Sequence, residues 1–303
     1  MSFVRDNYPL IANRSPLFHP MNPYLSLHSR LCRPLFITFT VLGDPDPKRS
    51  LKIVQTLIAN GADALELGLP FSDPTADGPV IQAADVRALK AGTTVDDCFK
   101  IISTIRKSSD IPVGLLVYFN LIFMRGIDRF YKDCKQSGVT SVLVADLPLE
   151  HFNEIAAAAK KYGIAPVFMV SERTTDDRLK KIIKVADGYL YLVSYVGITG
   201  ATNSILQSSV KTLIKRCRKY TKLPLFVGFG ISTSAHVQAV INAGADGVIV
   251  GSRIVEEVPD IKRIGAICRK LKLPILSPQT GRRVSVNRQR LSPPSATRRS
   301  SCG

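Results

Sequence analysis

Two acids stand where an apolar core would not place them. Glu66 interrupts the run Ala64, Leu65, Leu67 and Leu69, and Asp77 follows in residues 70–79, a stretch too rich in Pro and Gly to be regular. A carboxyl among apolar side chains loses its hydration, so its pKa rises, as a general acid requires. Pairing with a lysine or with backbone is the other reading of Glu66, and "ADG" around Asp77 is also ordinary turn chemistry. Further on, "VGFGIS" (227–232) and "VGSRIV" (250–255) each end an apolar run. Gly230, Gly251 and Ser252 could bring backbone N–H groups up to an anion, or the glycines could simply punctuate turns. In "YLYLVSYVGITGATNS", Tyr189 and Tyr191 alternate with leucines and face one side, as site residues or as packing. The Gly, Ser and Thr beyond them suit a loop that closes over a site. Phe39 and Leu116 would supply apolar walls. These residue types point to a carboxylate-driven lyase or isomerase acting on a phosphorylated, partly apolar substrate.

The elements that must position them alternate along the chain. "PLFITFTVL" (34–42) reads as a strand. Asp46 then caps a helix with Pro47 at its first position, and Leu51, Val54, Leu57 and Ile58 recur at helical spacing. "GADALELG" is the second strand, and further strand-like runs lie at 113–118, 141–145, 165–170, 189–193, 224–227 and 247–250. Helical patterns separate them near 79–91, 95–108, 126–137, 151–162, 175–185, 206–220 and 233–243, with a short helix after 250 and a last one near 259–272. Strands apolar on both faces, each followed by helix, imply a parallel sheet covered by helices. Eight such units over about 250 residues fit a (β/α)8 TIM barrel, a single domain with its active site at the C-terminal ends of the strands. A doubly wound sheet is the alternative, but "GDPDP" after the first strand is not its glycine-rich turn.

Residues 1–20 read as an N-terminal extension, 21–276 as the barrel, and 277–303 as a basic tail. The tail is rich in Ser, Pro and Arg without apolar periodicity, and is expected to be disordered. The net charge of +17 invites a nucleic-acid reading. That charge is divided between this tail and a helix face bearing Lys211, Lys215, Arg216, Arg218 and Lys219, and the tail has no aromatic residue for base stacking. No nucleic acid is therefore expected, and with no membrane-length apolar stretch, no membrane. The six cysteines are scattered without a CxxC, and the four histidines are equally dispersed. Neither a disulfide scaffold nor a metal site is expected, and a reducing, cytoplasmic location follows, with a plastid left open.

In order, "FTVLGDPDP", "GADALELGLPFSDPTADGP", "GLLVYFN", "SVLVADLP", "GYLYLVSYVGITG" and "VGFGIS" resemble the tryptophan synthase α subunit over residues 21–276. The resemblance implies retro-aldol cleavage of indole-3-glycerol phosphate to indole and glyceraldehyde 3-phosphate. It implies no cofactor in this chain, and a pyridoxal-phosphate β subunit as partner in an α2β2 assembly whose two sites are coupled. Carried over by position, Glu66 is the acid toward the indole ring carbon and Asp77 the partner of the ring nitrogen. Tyr191 lines the site, and Phe39 and Leu116 touch the indole. Thr199 and Gly200 belong to the closing loop, and Gly200, Gly230, Gly251 and Ser252 contact phosphate. Enterobacterial relatives have an arginine where Tyr195 stands, which bears on loop closure. A subunit that mainly activates its β partner is the competing reading, against which both acids are present.

Overall fold

The computed structural model describes residues 22–193 and 203–276. The elements run α1 (Pro23–Leu31), β1 (Leu35–Val41), α2 (Pro47–Ala59), β2 (Ala64–Gly68), α3 (Pro79–Lys90), α4 (Val95–Arg106), β3 (Val113–Val117), α5 (Phe119–Arg125), α6 (Ile127–Ser137) and β4 (Ser141–Val144). A 3-10 turn (Leu149–His151) leads into α7 (Asn153–Tyr162), β5 (Ala165–Ser171), α8 (Asp176–Val185), β6 (Leu190–Val193), α9 (Asn203–Arg218), β7 (Leu225–Gly228), α10 (Ser234–Ala243), β8 (Gly247–Val250), α11 (Ser252–Val255) and α12 (Ile261–Leu276). The eight strands pair in chain order, all parallel, and β8 closes on β1. This is the (β/α)8 barrel expected from the alternation, and the doubly wound alternative is set aside.

Alternate strand residues divide the core in two. Ile37, Phe39, Ala64, Leu143, Val167, Tyr189, Tyr191, Phe226 and Ile249 fill the barrel interior. Leu65, Leu67, Leu115, Val170, Leu192, Val227 and Val250 face the helices. Glu66 lies on the same side of β2 as Ala64, so strand periodicity itself turns it inward. Asp46 caps α2 through the Arg49 N–H at 2.9 Å. The buried stripe of α2 is Ser50, Ile53, Val54 and Leu57, with Leu51 and Ile58 only partly buried. The stripe is rotated from the apolar spacing because Ser50 Oγ accepts the Gly43 N–H at 2.9 Å and fixes that face inward.

Two helices were not evident in the sequence. In α1, Tyr24 is the buried residue, so no periodic stripe announces it. Its hydroxyl lies 2.7 Å from Ser141 Oγ at the start of β4, and its ring meets Tyr189 edge-on at 5.0 Å. With Asn22 Nδ2 donating to the Gly188 carbonyl at 2.7 Å, α1 closes the N-terminal end of the barrel. The other is α5, directly after β3, which buries Ile122 and leaves Phe123 and Met124 exposed. Among the described residues no helix is long and apolar enough to cross a membrane.

Candidate active site

Glu66 is only 1% exposed. Its Oε1 accepts the Tyr189 hydroxyl proton at 2.7 Å, and its Oε2 is buried without a hydrogen-bond partner. Burial, with a smaller push from the negative charge of Asp77, raises the carboxyl to about 7 against the opposing Tyr189 bond. An acid with that pKa carries a transferable proton at neutral pH. Gly114 lies opposite Glu66 on β3, where an added Cβ would stand 2.9 Å from Ser141 Oγ and 3.2 Å from the Tyr24 hydroxyl.

Asp77 reaches the mouth from the 70–79 loop. Pro79 starts α3 and Gly78 caps it, so the loop ends where the helix begins. The Tyr118 hydroxyl, one residue beyond β3, donates to Asp77 Oδ2 at 2.7 Å and accepts the Ala76 N–H at 3.0 Å. The Tyr118 ring stacks on Phe71 with centroids 5.0 Å apart. Gln82 Nε2 donates to the Asp77 carbonyl at 2.8 Å. Burial lifts the Asp77 carboxyl above its ordinary range, and the Tyr118 bond limits the rise. The same mouth therefore holds two carboxyls, Glu66 raised to about 7 and Asp77 raised above its ordinary range by burial.

Tyr191 is buried, and burial followed by the Glu66 and Asp77 charges keeps its phenol neutral by raising its pKa. Its ring meets Phe229 edge-on at 6.1 Å, and a Cβ at Gly228 would overlap its hydroxyl. Phe39 is buried beside Gly68 and Gly251, whose added Cβ atoms would come within 2.9 and 3.2 Å of its ring. Leu116 on β3 is half-buried against the interior cluster. Gly230 has φ 69° and follows Phe229, which holds φ 70°, a left-handed backbone that costs an aromatic residue on the order of 1–3 kcal/mol. His236 Nδ1 lies 3.1 Å from the Gly230 carbonyl oxygen and braces that turn. Gly251 and Ser252 open α11, whose first N–H groups have no helical acceptor. Thr199, Gly200 and Tyr195 lie outside the described residues.

Sequence reasoning singled out neither Tyr118 nor Asp85 of α3, and it left Tyr189 undecided between site and packing. Tyr189 does both, packing its ring against Phe226 with centroids 4.7 Å apart while bonding Glu66. The signal for Tyr118 was its position at a strand's C-terminal end. A separate cavity of about 120 Å³ lies outside β4 and β5. Its walls include Val142, Phe152, Phe168 and Ile182, and its charged residue, Arg178, is paired with Glu150, so it offers no acid–base chemistry. Among the described residues no cluster of three His, Cys, Asp or Glu could hold a metal ion.

Fold and site together define a class, a (β/α)8-barrel enzyme with carboxyl groups and glycine turns at the mouth of the barrel. The sequence pattern of one such family, the tryptophan synthase alpha chain, matches residues 27–273. The tryptophan synthase alpha chain of Methanoregula boonei is 50% identical over 233 residues, 77% of this chain and 88% of that protein. The subunit alpha structure from Legionella pneumophila has a TM-score of 0.77 at 31% identity, covering 84% of this chain and 98% of that one. A chain of the tryptophan synthase α2β2 complex of Pyrococcus furiosus has a TM-score of 0.72 at 34% identity, covering 79% and 97%. The chain belongs to the tryptophan synthase alpha chain family. It is a lyase subunit of tryptophan biosynthesis, and its reaction is retro-aldol cleavage of indole-3-glycerol phosphate to indole and glyceraldehyde 3-phosphate.

Proposed function

We propose that Glu66 and Asp77 divide the proton transfers of this cleavage. Glu66 gives its proton to the indole carbon that bears the side chain, while Asp77 accepts the ring N–H proton, leaving a neutral indolenine. The hydroxyl next to the scissile bond returns a proton to the Glu66 carboxylate as that C–C bond breaks. The bond's electrons pass through the ring to nitrogen, which recovers its proton from Asp77. Both acids end as they began, so the chain needs no cofactor of its own for this step. The observation that carries the reading is the raised Glu66 carboxyl beside an Asp77 held by Tyr118. Tyr191, Phe39 and Leu116 line the indole; the closing-loop roles of Thr199 and Gly200 rest on the family resemblance.

The phosphate sits against Gly200, Gly230, Gly251 and Ser252. The braced Gly230 turn and the opening of α11 at Gly251 and Ser252, whose first N–H groups have no acceptor within the helix, support this. Phosphate is remote from the breaking bond, so its contacts hold ground and transition states alike. Ser252→Ala is expected to raise KM about tenfold, the worth of one hydrogen bond to a charged group, with kcat little changed. Steady-state indole release measures this. Equal cleavage of indole glycerol lacking phosphate would remove the phosphate assignment.

The partner we propose is a pyridoxal-phosphate β subunit in an α2β2 assembly, which receives the indole. The catalytic unit is residues 21–276, and the location is the cytoplasm. Phe123 is 62% and Met124 75% exposed on α5, an apolar pair on the helix that Tyr118 caps. A partner seated there would bear on Tyr118 and hence on Asp77, which gives the two subunits a route for coupling. Phe123→Asp is expected to weaken β binding at least about tenfold, the scale of an interface hot spot, with indole release by the isolated chain unchanged. Calorimetric titration with β reads the affinity, and wild-type binding by the variant would move the interface elsewhere.

A further inference from the structure

The helix next to Asp77 has little apolar surface to hold it in place. Pro79, two residues past Asp77, begins α3, so the loop bearing the base ends on that helix. The buried face of α3 is Ile81, Ala84, Asp85 and Ala88, while Val86 and Leu89 lie exposed. Apolar burial stabilises in proportion to the area removed from water, and two alanines and an acid remove little beside Ile81. Polar contacts hold the helix instead. Arg87 forks onto Asp44, its Nε and one terminal nitrogen donating to the two carboxylate oxygens at 2.7 and 2.8 Å. Asp44 lies three residues beyond β1, on the mouth side, and is fully buried. The same turn is pressed against the exit of α3, where a Cβ at Gly43 would overlap the Thr93 side chain. At the entrance of α3, Gln82 Nε2 donates to the Asp77 carbonyl at 2.8 Å.

We propose that Arg87 is a positioning residue for the base: its fork onto Asp44 fixes α3 against β1, and Gln82 passes that position to the backbone of Asp77. This rests on the assignment of Asp77 as the base. Two parallel N–H···O bonds from a planar guanidinium fix direction as well as distance. The fork therefore sets the rotation of α3 about its own axis, and with it the point where the 70–79 loop joins the helix. From β3, the Tyr118 hydroxyl meets the same loop at Asp77 Oδ2 and at the Ala76 N–H. Asp77 is thus held by its carboxylate from β3 and by its carbonyl from α3, which packs on β1 and α11. A base has to meet its proton within hydrogen-bond reach, so a small rotation of α3 is enough to spoil the geometry.

The test is a cycle of variants read by indole release from the full chain. Arg87→Lys keeps a cation beside buried Asp44 but loses the fork. Gln82→Ala, at an exposed position, removes the last link and leaves the fork intact. Arg87→Lys should lower kcat about ten- to a hundredfold, the scale of a misplacement of about 1 Å, with KM little changed. Gln82→Ala should lower kcat about threefold, in the range of one hydrogen bond, and carries the test should Arg87→Lys not fold. Combined with Asp77→Asn, neither should lower kcat further, because no base is left to place. The Ala76 amide should exchange its hydrogen faster in Arg87→Lys than in wild type. A fork that serves stability alone would lower the thermal midpoint and leave kcat of the folded protein unchanged. That result, an Arg87→Lys loss repeated in full beside Asp77→Asn, or an Ala76 amide that exchanges as in wild type overturns the proposal. Asp77→Asn alone keeps the two readings apart. Normal turnover there ends the base assignment, while Ala76 exchange still decides whether Arg87 holds the loop.

Discussion

Glu66→Gln is expected to slow indole release by about a hundred- to ten-thousand-fold, the range of general acid–base catalysis, and at the same time to stabilise the fold above neutral pH. Gln keeps the size and an acceptor for the Tyr189 hydroxyl, which donates to Glu66 Oε1 at 2.7 Å, but it has no proton to transfer. The stability gain follows from linkage. The folded protein holds the Glu66 proton to about 7, whereas an unfolded carboxyl gives it up near 4.5. Between those values the native state binds more protons, so stability falls as pH rises through the window. The full cost, on the order of 3 kcal/mol, is present above the folded pKa and absent below the unfolded one. Gln removes it. Thermal unfolding at about pH 8 and about pH 4 separates the effects, with the variant more stable than wild type at the higher value and alike at the lower. Near-normal turnover by the variant would end the assignment of Glu66 as the acid, and an unchanged midpoint at the higher pH would show that Glu66 is not held protonated.

Asp77→Asn is the second large effect, a loss of about a hundredfold in kcat. Asn still accepts from Tyr118 but does not take a proton from the ring nitrogen. The carboxylate must be ionised to act, so wild-type activity should fall on acidification through the Asp77 pKa, which burial raises above the ordinary 3.8. On the alkaline side activity should fall as Glu66 deprotonates near 7. The variant should lose the acid limb of this bell and keep the alkaline one. The pH profile of kcat/KM measures this for the free enzyme. An Asn variant with an intact acid limb would assign that limb, and the base, to another group.

The roles given to Glu66 and Asp77 came from different kinds of information. Glu66 was visible because strand periodicity fixes which way each side chain points, and one acid in an apolar strand stands out against that rule. Its pKa was legible in direction for the same reason, since burial sets it. Asp77 was ambiguous between turn and site until the Tyr118 bond was seen. The resemblance to a family supplied the names of the roles, while the contacts that hold the two acids come from the fold.

Sequence by itself determined the eight strand–helix units, the inward face of Glu66, and the glycine turns after β7 and β8. Each is a local property, written in spacing, caps and turn residues within a few positions of one another. Barrel closure through the β8–β1 pairing, α1 as the plug at the N-terminal end, and the tyrosine partners of both acids were decided only by the tertiary structure. Tyr189 is 123 positions from Glu66, Tyr118 is 41 from Asp77, and Tyr24 is 117 from Ser141. Asp85 shows why such contacts are hidden. On its helix it reads as one more solvated acid, and only the packing of α3 against β1 and α11 removes its water. Desolvation belongs to the surroundings of a group, and those surroundings are assembled from chain segments that have no local pattern in common.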